Sequence, residues 1–345
     1  MDTITKRMRA VVFDGSLRFE ANYTVPALPE GWALIRVRKA GICQTDMELM
    51  KGYRSFRGIL GHEFIGYVEN CSDQALVGKR VTGEINASCG KCALCRKGLG
   101  NHCPERKVLG IHQLDGCMAD YCILPVSNLI EIPRSLVDDR AVFIEPLSAA
   151  CEIIEQVLFE GNENVVVLGD GRLGILCAWA ISTVVEDVTL VGHHPEKVEI
   201  SKWRNLKTGT NRDIIKSDAD VVVDATGSSS GINEAMSACR PRGTIVLKST
   251  VASQGDLNLA PIVVKEINLL GSRCGRFESG IQMLESHPDM PLGRLITASY
   301  PVEEALTAFE RASQGDALKV LIEICLLYTS PSPRDRTRSR MPSSA

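Results

Sequence analysis

The chain has 345 residues, 44% of them hydrophobic and 23% charged, with a formal net charge of -3. This is an ordinary globular composition with room for two domains, and the charge gives no reason to expect nucleic acid as a partner. The opening MDTITKRMRAVVFD has no apolar core followed by small residues, and no apolar run is long enough to span a bilayer, so the expectation is a cytoplasmic protein with no membrane partner.

The first half reads as β-rich. Short apolar runs, MRAVVFD, WALIRVRKAG, FIGYVEN and DYCILPV, are parted by Gly, Pro and Asp, the punctuation of strands and turns. GICQTD supplies Cys43, and GHEFIGYVE supplies His62 and Glu63. Taken singly, a lone buried cysteine is usually packing, and a lone His–Glu pair is usually a surface or satisfied core feature.

Next comes CGKCALCRKGLGNHC, which holds Cys89, Cys92, Cys95 and Cys103. Thiolates at this spacing converge on one ion, and all-sulfur tetrahedral coordination is the closed geometry of structural zinc. Gly90, Gly98 and Gly100 suit the tight turns around a metal. An iron–sulfur cluster, a disulfide pair and free thiols are the competing readings. The chain carries thirteen cysteines; at this length and clustering they indicate a reducing compartment, not a secreted disulfide scaffold. Cys71, Cys117, Cys122, Cys151, Cys177, Cys239, Cys274 and Cys325 read as small core or surface residues. His102 and His112 read as structural neighbours of the four-cysteine lobe.

The texture changes after Glu145. From Asn164 onward VVVLG, RLGILCAWAIS, VTLVG, PEKVEISKW, ADVVVDATG, GTIVLKS and INLLGS alternate, which predicts parallel βαβ units with buried strands. VVVLGDGRLGILCAWA contains Gly169, Gly171 and Gly174 in G-x-G-x-x-G order, with Arg172 and Leu173 between the last two. The motif follows an apolar strand and opens a helix, the context of a dinucleotide site. Gly169 permits the turn, Gly171 lets the backbone approach a pyrophosphate, and Gly174 lets the helix pack on the strand. The helix N-terminus then offers free N–H groups to the phosphates.

NAD sites usually end the next strand with Asp or Glu, about 20 residues on. VTLVG ends instead in Gly192, followed by His193, His194 and Pro195. A small residue there leaves room for a 2′-phosphate, which the imidazoles or Lys197 could bind. The sequence therefore favours NADP, with NAD held by backbone and water as the alternative. Further on, the stretch from Pro301 to Gln314 reads as an amphipathic helix and ALKVLIEI as a closing strand. LLYTSPSPRDRTRSRMPSSA, 326–345, is rich in Ser, Pro and Arg and reads as a disordered tail, a scar not native to the fold.

Taken in this order, GICQTD, GHE, the four-cysteine run, IEPLSAA and the glycine fingerprint resemble the zinc-dependent medium-chain dehydrogenases, the alcohol, polyol, threonine and glucose dehydrogenase group. The resemblance spans Met8 to Ile324. It implies an α/β protein with a GroES-like β-barrel catalytic domain, 1–152 and 273–325, including a zinc lobe at 86–106. A Rossmann domain, 153–272, carries the cofactor. By motif position, Cys43 and His62 look like catalytic zinc ligands. Glu145 stands where polyol and threonine dehydrogenases use Glu and other relatives use cysteine. Glu63 resembles a neighbouring glutamate that binds zinc directly or stands behind it, so the acidic ligand is Glu63 or Glu145.

The resemblance also puts Thr45 at the hydroxyl that accepts the substrate proton. Glu48 falls where relatives often carry a histidine; it either continues the relay or faces solvent. Asp224, Thr226 and Gly227 resemble the strand end lining the cofactor groove. Tyr53, Phe56 and Arg57 are candidates to line the substrate cleft. The crossover between VTLVG and ADVVVDATG is shorter than relatives usually have, so an element there is expected to be reduced. A homodimer or homotetramer is implied.

The leading expectation is a zinc-dependent oxidoreductase moving hydride between an alcohol, polyol or sugar hydroxyl and NADP, or NAD, with two zinc ions per chain. A catalytic zinc keeps one position open for water or substrate. The reading from another class is a non-catalytic, zinc-stabilised nucleotide-binding protein, which the complete set Cys43, His62, Glu63 and Glu145 argues against.

Overall fold

A computed structural model describes residues 6–210, 216–249 and 257–324. The catalytic half is organised by one long strand, Trp32–Gly41, in which Ala33, Ile35 and Val37 are fully buried and their neighbours are not. That period of two is what a strand with one core face requires. The strand pairs antiparallel with Glu63–Cys71 on one side, and with Lys319–Glu323 and Tyr121–Pro125 along the other. Arg80–Gly83 and Leu129–Glu131 continue the sheet.

Register decides what meets at the strand ends. Gly41 stands opposite Glu63 on one neighbour and Leu321 on the other. Ile42 adds a hydrogen bond from its N–H to the Val320 carbonyl, 3.0 Å. Cys43 leaves this strand where His62 enters its partner and where Lys319 begins the third. The expected closing strand is therefore present, and it delivers a cation beside two candidate metal ligands.

The other half is a six-stranded parallel sheet. Its spatial order is Lys207–Gly209, Asp187–Val191, Asn164–Leu168, Ala219–Asp224, Cys239–Leu247 and Asn268–Gly271. Chain order runs outward in both directions from Asn164–Leu168, so a crevice opens at the carboxyl ends of the central strands, the binding place of doubly wound sheets. The helix Arg172–Ile181 is buried from Gly174 onward, as its unbroken apolar sequence demands. The short crossover keeps both elements, but each is small: a helix of six residues, Pro195–Ile200, and a strand of three, Lys207–Gly209. One apolar core runs from barrel residues such as Val37 and Phe64 through Phe143 and Leu147 to Val165, Ile175 and Trp179.

The amphipathic segment near the end forms the helix Ala305–Ala312, preceded by a single 3-10 turn, Val302–Glu304. Among the described residues no helix is long and apolar enough to cross a membrane. Cys325 and the predicted tail 326–345 lie outside the described residues.

Candidate active site

Cys43 caps the helix Gln44–Met50, and His62 immediately precedes the strand Glu63–Cys71. One ligand atom each of Cys43, His62 and Glu63 lies within 4.8 Å of the others. Asp46 fixes this convergence. Its fully buried carboxylate accepts the Cys43 N–H at 2.8 Å and the Gly61 N–H at 3.3 Å, and lies 3.4 Å from His62 Nδ1. The sequence reading did not single out Asp46, although an acid three residues after the helix cap is the capping-box position. Burial opposes a charge on His62, but Asp46 and Cys43 outweigh it and raise the imidazole pKa well above its ordinary value.

Glu63 is fully buried between two cations. Lys319 Nζ donates to its Oε2, and Arg172 lies 3.7 Å from Oε1. A Cβ on Gly41 would come within 2.4 Å of Glu63 Oε2, so this strand has to end in glycine. Burial and the nearby Arg172 lower the Lys319 pKa, against the pull of Glu63. Arg172 also donates to the carbonyls of Ile42 at 3.2 Å and Leu318 at 3.0 Å. The sequence assigned Arg172 to the cofactor. Its guanidinium turns instead to Glu63 and these carbonyls, which leaves its backbone N–H for phosphates.

Glu145 lies in the first turn of the helix Ile144–Gln156 and lines the same cleft, but its carboxyl is not part of the 4.8 Å set. Burial pushes its pKa up to about 7, with His62 opposing and Glu63 adding to the rise. Thr45 and Glu48 both line the cleft. Thr45 Oγ1 is 3.7 Å from Cys43 Sγ. Glu48 accepts from Lys51 Nζ and Gln44 Nε2, each at 3.0 Å, and Lys51 holds its pKa below the ordinary carboxylate value.

A thiol, an imidazole and carboxylates converging at the wall of an open cleft are the donor set of a catalytic zinc. His62 Nδ1 faces Asp46 at 3.4 Å, while among the described residues Glu63 Oε1 is buried without a hydrogen-bond partner. That is a state polar groups occupy rarely unless a ligand or function accounts for it. The residues fit the ion.

The four-cysteine lobe is closed in the same sense. Cys92 Sγ lies 3.5 Å from Cys95 Sγ and 3.9 Å from Cys103 Sγ, and Cys89 Sγ is 4.0 Å from Cys95 Sγ. Four sulfurs about 2.3 Å from a tetrahedral centre stand about 3.8 Å apart, whereas a disulfide needs about 2.05 Å. The Cys95 N–H donates to Cys92 Sγ at 3.5 Å and lowers that thiol to about 7, the direction a metal-binding thiolate needs. His102 and His112 stand outside the sulfur set.

The nucleotide side begins at Gly169, whose φ of +111° is open to glycine and to few other residues. A Cβ on Gly174 would lie 1.9 Å from the Gly169 carbonyl oxygen, so the helix meets the loop at backbone contact. A Cβ on Gly171 would meet nothing within 4 Å, and this residue caps the helix with no side chain on its free N–H groups. The protein does not fill that space; a phosphate can. Gly171, Leu173, Lys197, Ala225, Thr226 and Gly227 line a cleft of about 1120 Å³ that is continuous with Cys43, His62 and Glu145.

Asp170 bears on the cofactor expectation. Its carboxylate accepts the N–H groups of His193 and His194, each at 2.7 Å, and lies 3.1 Å from His194 Nδ1. A Cβ on Gly192 would sit 2.3 Å from Asp170 Oδ2. The strand end without an acid of its own thus has one supplied from the glycine loop. His193 and His194 hold Asp170, and none of the three lines the cleft. Of the residues expected at the substrate end, Tyr53 lines the cleft, Phe56 is buried, and Arg57 donates to the Asp14 carbonyl at 2.5 Å, away from it.

Residues 29–134 match the family model of the alcohol dehydrogenase GroES-like domain, and residues 138–324, more than half the chain, match that of the glucose dehydrogenase C-terminus. The chain belongs to the zinc-type medium-chain dehydrogenases. It is an oxidoreductase acting on alcohol or polyol hydroxyls, with a GroES-like domain and a Rossmann sheet. Sorbitol dehydrogenase of Halalkalibacterium halodurans is 28% identical over 84% of this chain and 90% of its own length. D-arabitol-phosphate dehydrogenase of Enterococcus avium is 27% identical over 87% and 92%. A solved alcohol dehydrogenase of Escherichia coli CFT073, RspB with NADH bound, superposes with a TM-score of 0.83 at 25% identity, covering 92% of this chain and 99% of its own.

Proposed function

We propose that this dehydrogenase exchanges hydride between a polyol or secondary alcohol and NAD. In this reading one zinc is held by Cys43, His62 and an acidic partner, Glu63 or Glu145, and a second by Cys89, Cys92, Cys95 and Cys103. The observation that carries it is the meeting of Cys43, His62 and Glu63 within 4.8 Å at strand ends that Arg172 ties to the glycine loop. When bound, the catalytic metal polarises the substrate oxygen and the nicotinamide accepts or returns the hydride. Asp46 holds Cys43 and the His62 segment in position. Thr45, donor and acceptor at once, takes the substrate proton. Glu48, kept ionised by Lys51, is the next acceptor. Relatives named for sorbitol and D-arabitol phosphate support a polyol as the substrate.

The absence of an acid after VTLVG favoured NADP. Asp170 removes that reason. Its carboxylate fills the space beside Gly192, and its charge would disfavour a 2′-phosphate brought to that strand end. NAD therefore becomes the reading, and Lys197, buried and cleft-lining, is the cation that would serve NADP instead.

A homodimer through the edge of the parallel sheet belongs to the same reading. The edge strand Asn268–Gly271 exposes Leu269, and the neighbouring helix Ala260–Val264 leaves Val263 76% and Val264 81% exposed. An open edge flanked by apolar residues calls for a partner. The domain division at residues 152 and 273, and a cytoplasmic setting suited to the free thiols, complete the proposal.

The test is a panel of alcohols, polyols and aldoses with NAD and NADP, followed by reduced-nicotinamide absorbance on the zinc-loaded protein. Turnover of a polyol, faster with NAD, supports the reading. No turnover across the panel from protein holding both zincs favours a non-catalytic scaffold.

A further inference from the structure

Three arginines line the cleft from three separate parts of the chain: Arg54 after the helix that Cys43 caps, Arg106 after the four-cysteine lobe, and Arg273 after the last parallel strand. Their hydrogen bonds go to neutral groups. Arg54 Nε lies 3.5 Å from Tyr53 Oη, Arg106 donates to the Cys103 carbonyl at 3.0 Å, and Arg273 donates to the Asn101 carbonyl at 2.7 Å. Among the described residues none of the three has a carboxylate within 4.0 Å. The acid that acts on Arg273 from farther off, Glu84, is itself occupied by the N–H and amide of Asn86.

The cluster is unfavourable as it stands. Among the described residues Arg106 Nε is buried without a partner. Arg54 adopts a left-handed backbone, φ 58°, strain of the kind that persists at ligand clamps. The other cations nearby are spoken for: Lys51 pairs with Glu48, and Lys248 donates to Ser272 Oγ and the Arg273 carbonyl. Arg106 is partly buried and is flanked by the exposed Arg54 and Arg273; guanidinium groups gathered without a neighbouring carboxylate are stabilised by an oxyanion, which their planar forks match two oxygens at a time.

We propose that the substrate carries an oxyanion, a phosphate monoester or a carboxylate, that seats on Arg54, Arg106 and Arg273 while its hydroxyl reaches Cys43 and His62. This rests on the dehydrogenase reading above and names the class of polyol within it. None of the three arginines lies in the glycine loop or at the strand end carrying Thr226.

The experiment uses the zinc-loaded enzyme with matched sets: a polyol, its phosphate monoester and its aldonate. The wild type should show kcat/KM at least about a hundredfold higher for one anionic member than for the neutral polyol, and whichever it is identifies the oxyanion. Arg106→Gln should cut that ratio by about ten- to a hundredfold, the range of one charge-assisted hydrogen bond, with KM for the dinucleotide unmoved. Inorganic phosphate should compete with the substrate and not with NAD. Equal use of neutral and anionic polyols overturns the proposal and leaves the dehydrogenase reading intact. A raised KM for NAD in Arg106→Gln overturns it too, assigning the arginines to the cofactor. Should no polyol turn over, calorimetric titration with inorganic phosphate decides: binding that Arg106→Gln abolishes, with zinc content and thermal unfolding retained, supports the seat, and no binding to the wild type sinks it.

Discussion

The carboxylate of Asp170 occupies the place of a side chain that Gly192 lacks: a Cβ built on Gly192 would lie 2.3 Å from its Oδ2. Two backbone N–H groups, of His193 and His194, fix it there at 2.7 Å. Burial works against this charge, but the hydrogen bonds from His194 and His193 prevail and hold its pKa below the ordinary aspartate value. The charge therefore persists at neutral pH.

From this follows a cofactor prediction. The wild type should use NAD at least about tenfold better than NADP in kcat/KM. Asp170→Asn, which keeps an acceptor for the two N–H groups but removes the charge, should narrow that gap by about tenfold, the worth of one charge-assisted interaction. The readout is kcat/KM with both cofactors. An unchanged ratio would mean that Asp170 only shapes the turn.

Thr45 gives a second prediction. Thr45→Ala should lower kcat by about a hundredfold or more, the usual contribution of a positioned proton-transfer group, while zinc content stays the same. Thr45→Ser should recover most of the loss, because only the hydroxyl is used. Turnover in Thr45→Ala equal to wild type would remove the relay role.

The buried trio Glu63, Lys319 and Arg172 predicts an asymmetric response in stability. Lys319→Met strips Glu63 of its nearer partner and should destabilise the fold by about 3–5 kcal/mol. Glu63→Gln should cost more than Lys319→Met, because it leaves Lys319 and Arg172 facing each other without a carboxylate, whereas Lys319→Met leaves the pair of Glu63 with Arg172. Denaturant unfolding of the zinc-loaded proteins measures both.

The pH dependence has a definite sign. Glu145 and His62 both have folded pKa values above their ordinary ones, Glu145 at about 7. Each favours the fold when protonated. Their contribution is complete below the unfolded-state values and is lost as pH rises through the folded ones. The metal-free protein should therefore lose thermal stability from about pH 5 to beyond pH 7. Zinc takes the place of those protons, so added zinc should raise Tm more at pH 8 than at pH 5. A zinc-induced shift in Tm that is the same at both values contradicts this.

Much of the fold was legible because its signals are local. An apolar strand, a G-x-G-x-x-G turn and a helix opening lie side by side in the chain, and the four cysteines are brought together by one short loop. The closing strand was legible as a strand, yet not as the carrier of Lys319, because that depends on which strand it joins and in which register. Asp170 was passed over for a related reason. Past the glycines the chain carries no acid at the strand end, while the space is filled across the sheet from within the motif. Arg172 was read as part of a phosphate loop, but its side chain follows burial and the charge on Glu63. At the cleft mouth the sequence offered Arg57, and the turn at Gly52 brings Arg54 there instead. Left-handed backbone at Arg54 and Ser55 is a detail that spacing does not encode.

Zinc content per chain, in the wild type and in Cys43→Ala, tests the central claim most directly. Two zincs falling to one, with the remaining ion lost only when the four-cysteine lobe is altered and NADH binding retained throughout, is the predicted result. A Cys43→Ala protein that still holds two zincs, or a wild type that never binds more than one, would contradict a metal at Cys43 and His62.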